Sequence, residues 1–101
     1  MSDSGTKVIT KKKEKLKKPR LYSVILLNDD YTPMDFVVSV LETIFDKSPS
    51  ESVQIMLKVH NQGRGHCGLF PKDIAEMKIA LTHKRAKESG HPLKAVMEPE
   101  V

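Results

Sequence analysis

The sequence predicts an α+β fold, a small three-stranded antiparallel sheet packed against three helices in the order β-α-α-β-α-β. Three observations predict it. An apolar, β-branched run at 21–28 stops at an Asn-Asp-Asp turn. Two proline-started amphipathic stretches follow it, at 33–45 and 49–60. Short strand-like segments at 66–70 and 92–98 bracket a third helical stretch that starts at Pro71.

The elements follow in order. LYSVILLN, 21–28, reads as a strand, and its unbroken apolar run predicts burial on nearly both faces. Thr32 suits an N-cap, Pro33 the first helical position, and Asp35 the carboxylate-favouring first turn. Met34, Val37, Val38, Leu41 and Phe45 then recur at helical spacing. Ser48-Pro49-Ser50-Glu51 is a capping box with proline at the first position. Val53, Met56, Leu57 and His60 make the predicted inner stripe of this second helix, which Gly63 and Gly65 close. HCGLF, 66–70, is a short strand. In the third helix Ile74, Met77, Ala80 and Leu81 are predicted to face inward, and Gly90 ends it. PLKAVME, 92–98, is the last strand.

The chain has 101 residues, enough for one domain. Its net charge of +4 describes a tail. Residues 1–20 hold eight basic and two acidic residues, whereas the rest holds nine basic and eleven acidic. Residues 1–19 therefore read as a disordered, lysine-rich extension, and 20–101 as the folded core. Such a tail could touch phosphates or another anionic partner without sequence readout, which makes non-specific nucleic-acid binding the alternative function. Its lysines have no aromatic residues between them, so it offers no stacking platform for single strands. The single cysteine, Cys67, allows no internal disulfide and fits a reducing compartment. The apolar runs are too short for a membrane span and the N-terminus has no apolar signal core, so the expected location is cytoplasmic.

Several residues are candidates for chemistry. Asn28-Asp29-Asp30 can be a turn that caps its own backbone. Adjacent carboxylates also repel each other and add their fields at one point, which suits a cation. His60, on the second helix, can be a packed histidine or can offer a neutral ring nitrogen to an ammonium. Met34, Met56 and Met77 fill a core or line an adaptable apolar pocket. Asp29, Asp30, His60, His66 and Cys67 are suitable metal-ligand types, but no HxxxH, CxxC or HExxH spacing joins them. Nothing local marks Cys67 as a nucleophile, and there is no nucleophile elbow, phosphate loop or dinucleotide fingerprint. No cofactor and no enzymatic activity are expected.

LLNDDYTPMDFVVSVL, IMLKVHNQGRGHCG, DIAEMK and GHPLKAVMEPE together resemble the ClpS adaptor family over about residues 20–98. The resemblance implies the same β-α-α-β-α-β fold. It also implies an adaptor that binds proteins by a large hydrophobic first residue (Leu, Phe, Tyr or Trp) and delivers them to the ClpA-type AAA+ unfoldase of the ClpAP protease. On the matching positions, Asn28, Asp29 and His60 would read the free α-amino group, with Asp30 supporting the acidic rim. Ile25, Leu27, Thr32, Met34, Val37, Met56, Val59 and Leu93 would form the side-chain pocket, with Met34 as the gate against β-branched first residues. The unfoldase would dock on Asp73, Glu76 and Lys78 of the third helix, and the N-terminal extension would help hand over the substrate. The chain departs from the family at Met77, where threonine is usual, at Lys94, where an apolar residue or cysteine is common, and in its lysine-rich tail. Some bacteria carry two such adaptors, and Met34 argues for the ordinary side-chain range here.

Overall fold

In a computed structural model of the chain, residues 19–100 are described; the expected N-terminal extension lies outside them except for Pro19. The elements are β1 (Leu21–Leu27), α1 (Met34–Thr43), α2 (Pro49–Gln62), β2 (Arg64–Pro71), α3 (Lys72–Glu88) and β3 (Lys94–Pro99). This is the predicted α+β order. The sheet is antiparallel with β1 in the centre, in the order β2-β1-β3. None of the described helices is long and apolar enough to cross a membrane.

β1 carries the core because it is central and alternates. Tyr22, Val24 and Leu26 face the helices and join the main apolar cluster with Val37, Leu41 and Met56. Ile25 turns to the other face yet is only 4% exposed. There the Arg64–Glu98 ion pair, 3.0 Å long, runs from the strand partner of Leu27 to that of Ser23 and arches over Ile25. So β1 is covered on both faces, as its unbroken apolar run requires.

β2 is longer than predicted, and it bulges. Val24 pairs with Gly68 but Ile25 with His66, so Cys67 is the extra residue. The bulge shifts the alternation by one residue. Cys67 and Phe70, three positions apart, therefore both pack toward the helices while Leu69 points out. β3 is an edge strand. The Glu100 N–H bonds Leu21, so the odd-numbered amides of β3 point outward. His83 Nε2 accepts the Ala95 N–H at 3.0 Å and Pro99 has none, which limits pairing with another chain.

The helix starts differ from expectation at Pro33 and at Pro71, each an N-cap rather than the first helical residue, and the helix faces differ at two helices. The Ser48–Glu51 capping box and the left-handed C-cap at Gly63 form as predicted. In α1, however, Pro33 occupies the N-cap and no side chain caps it, because the Thr32 hydroxyl is engaged by Asp29. In α2 the buried face is Ser52, Met56 and Val59, whereas Val53, Leu57 and His60 lie outward. In α3 it is Ala75, Thr82 and Ala86, and Met77 and Leu81 are 48% and 44% exposed. The inward face of α3 is mostly small, with Ile79 packed against the core beside Ala75, Thr82 and Ala86.

Close approach is tightest where α2 meets β2. A Cβ on Gly65 would lie 2.6 Å from Val59 Cγ2 and 3.1 Å from the Ile55 carbonyl oxygen. Val59 is buried and branched, and the Ile55 oxygen is helix backbone, so neither yields easily. Gly65→Ala is expected to destabilise the protein by about 1–3 kcal/mol in denaturant titrations. Wild-type stability in that variant would show that α2 can move off the sheet freely.

Candidate functional site

The site begins where β1 ends. The Asn28 N–H donates to the Gly63 carbonyl at 2.9 Å, tying the strand end to the C-cap of α2. That bond brings Asn28 beside the last turn of α2, which carries His60. α1 returns along α2 after a short connection, so Met34 at its start lies near the same end.

Asp29 shapes the next four residues. Its Oδ1 accepts the Tyr31 and Thr32 N–H groups at 2.8 and 2.7 Å, and its Oδ2 accepts the Thr32 hydroxyl at 2.7 Å. Burial alone would raise its carboxyl above the usual value of 3.8, but the Thr32 hydroxyl, the two N–H groups and the field of His91 together hold it below. Asp29 is thus an Asx turn and a persistent negative charge at once. With both oxygens engaged, it has room for one more short bond through Oδ2.

Nine of the sequence-predicted residues line one cavity of about 380 Å³. Asn28, Asp29, Asp30 and His60 bring polar groups to it, and Thr32 sits beside them. Met34, Val37, Met56 and Val59 bring apolar ones. Val37 and Val59 are core residues whose surfaces form a fixed wall, whereas Met34 is 44% exposed and can adapt its shape. The cavity therefore combines an apolar hollow with acceptor groups and net negative charge, which suits a ligand bearing a cation next to a hydrophobic group. Tyr31, 79% exposed, and Pro33 also line it. Sequence reasoning did not assign them, although their place between Asp30 and Met34 was the available signal.

Three expected pocket residues lie elsewhere. Ile25 faces the opposite side of the sheet because alternation gives the helix side to Val24 and Leu26. Leu27 shares Ile25's parity and lines a neighbouring shallow depression. Leu93 is inside the core and does not reach the cavity lining. Of the residues expected to dock an unfoldase, Asp73 and Glu76 are exposed on α3, but Lys78 is half-buried. Its Nζ donates to the Ile44 carbonyl at 2.6 Å and lies 5.7 and 5.2 Å from the ring centroids of Phe45 and Phe70. Lys78 therefore fastens α3 to the end of α1.

No group of three or more possible metal ligands occurs among the described residues. Cys67 is fully buried, and burial pushes its thiol up to about 12, only partly offset by the Leu26 backbone and Lys47. It is a packing residue rather than a thiolate.

Comparison with known proteins agrees with this architecture. A family model described as "ATP-dependent Clp protease adaptor protein ClpS" matches residues 17–96. The ATP-dependent Clp protease adapter protein ClpS of Herminiimonas arsenicoxydans is 52% identical over 96 residues, covering 95% of this chain and 93% of the relative. That of Wolinella succinogenes is 58% identical over 80 residues, covering 79% and 78%. Agrobacterium tumefaciens ClpS2, solved bound to L-phenylalaninamide, superposes with a TM-score of 0.78 at 41% identity, covering 81% of this chain and 99% of that one.

Two substitutions test the roles just described. Asp29→Ala should cost about 1–2 kcal/mol at neutral pH, by analogy with lost capping bonds. Because the folded carboxyl sits below its unfolded value, this contribution is present above the unfolded value and lost as pH falls through the folded one. The stability gap between wild type and Asp29→Ala should therefore narrow in acid, and a gap independent of pH would contradict the role. Lys78→Met should lower stability by about 1–2 kcal/mol through the lost ring contacts and hydrogen bond. A neutral effect in the same denaturation assay would return Lys78 to the solvent.

Proposed function

The chain belongs to the ClpS family of ATP-dependent Clp protease adaptor proteins, and from that premise we propose that it selects proteins by their first residue. In this reading the free α-amino group docks at Asn28 and His60, beside Asp29 and Asp30, and a large hydrophobic first side chain (Leu, Phe, Tyr or Trp) enters the hollow next to it. The protein then hands its cargo to a ClpA-type AAA+ unfoldase. The observation that carries the proposal is a cavity that joins the acceptor groups of Asn28, Asp29, Asp30 and His60 to an apolar wall. The L-phenylalaninamide of the Agrobacterium relative supports it, since that molecule pairs a free α-amine with a hydrophobic side chain.

The roles follow from the donor inventory. An α-ammonium has three N–H donors and needs acceptors. The Asn28 side-chain carbonyl and a His60 ring nitrogen supply two of them. Asp29 contributes its remaining lone pair and, with Asp30, a negative field. Charge-assisted hydrogen bonds contribute about 1.5–3 kcal/mol each. Burying a Leu or Phe side chain adds about 1.5–3 kcal/mol. Micromolar affinity needs only about 8 kcal/mol, so the combination suffices after ordering costs. Met34 lines the hollow as an adjustable wall, and in this reading it screens the shape of the first side chain.

For delivery, Asp73 and Glu76 offer exposed carboxylates on α3 to the unfoldase. Lys78, half-buried on the same helix, holds the helix in place and keeps the docking role the resemblance gives it. The protein makes and breaks no bonds in this role.

The test is a binding titration with one Phe-starting peptide, free and N-acetylated. Acetylation removes the charge and two donors, so affinity should fall at least about 10-fold. Equal affinity for the two peptides would overturn the proposal.

A further inference from the structure

Beside the cavity lies a second depression of about 310 Å³, lined by Leu27, Asn28, Asp29, Tyr31, Pro92 and Lys94. The two hollows share Asn28, Asp29 and Tyr31, so these residues form the ridge between them. Leu27, Pro92 and the Tyr31 ring give the depression an apolar floor. Lys94, the first residue of β3, sits opposite Leu27 in the sheet and is exposed. Among the described residues it makes no ion pair.

We infer that this depression takes the side chain of the second residue of the bound protein, and that Lys94 biases the choice there toward Glu or Asp. The inference rests on the proposal that the cavity holds a free first residue. A chain held by its ammonium at Asn28 has its first side chain on one side of the ridge. Successive side chains of an extended chain point to opposite sides. The second side chain therefore turns across the ridge, onto Leu27 and Pro92. There the methylenes of a glutamate pack on the apolar floor while its carboxylate meets the Lys94 ammonium. A lysine at that position brings its charge to Lys94 and is disfavoured. Asp29 and Asp30 oppose an acidic residue, but Asp29's oxygens are turned into its own loop, and Asp30 lines the first cavity and not this depression. Lys94 is thus the residue that sets the sign of the preference.

The test compares two peptides, Phe-Glu and Phe-Lys at their start and identical beyond, against wild type, Lys94→Leu and Lys94→Glu at about 0.1 M salt. An exposed pair changes affinity by only a few-fold. The ratio of Phe-Glu to Phe-Lys affinity should fall about 10-fold from wild type to Lys94→Glu, with Lys94→Leu between them. A ratio that is the same in all three proteins overturns the inference and leaves first-residue recognition standing. Failure of both peptides to bind wild type overturns that recognition and the inference with it.

Discussion

The bond from the Asn28 N–H to the Gly63 carbonyl holds the proposed binding site together. It forms only because Gly63 adopts a left-handed C-cap, with φ of +90°, which turns the chain out of α2 and into β2. The same residue therefore ends a helix, starts the return to the sheet and fixes the tip of β1. His60, one turn earlier in α2, comes to Asn28 as a consequence. Nothing in Asn28 or His60 alone would hold two polar side chains at that junction. The backbone does so, and packing between Gly65, Val59 and Ile55 keeps α2 seated close enough for the bond.

Asp29 shows how a structural role and a proposed functional one can share a carboxylate. Its bonds to Tyr31 and Thr32 close the loop and set the direction in which Met34 leaves it. The same bonds keep the group ionised, so its field stays directed at the cavity. A turn and a cation site are usually weighed as rivals at such a sequence. Here the turn is what fixes the charge in place. Lys78 shows the converse, a charged side chain on an outward-looking helix whose ammonium is spent on Ile44 and two phenylalanine rings.

Much of this architecture was legible in the sequence. The element order, the capping box of α2 and the Gly63 stop follow from short-range chemistry, and the structure contains them. The residues around the cavity were legible because two chain segments with separate motifs, 28–37 and 56–60, converge on it. What was not legible was the phase of two helices. Met77 and Leu81 outweigh Ala75, Thr82 and Ala86 in any hydrophobic count, yet the small residues are buried and the large ones exposed, and Ile79 packs against the core instead. Ile25 and Leu27 were misplaced for a related reason. An unbroken apolar run hides which parity faces the helices, and that is set by pairing with β2 and β3. The bulge at Cys67, which brings both Cys67 and Phe70 inward, has no local sequence signature.

The central claim is that the junction of β1 and α2 receives the first residue of another protein. Amide shift mapping with a peptide beginning Phe-Ala and carrying a free amine tests it most directly. Perturbations should concentrate at residues 28–37 and 56–63, with α3 and the Ser23–Ile25–His66 side of the sheet unaffected. Perturbations centred on α3 or on that opposite sheet face would contradict it.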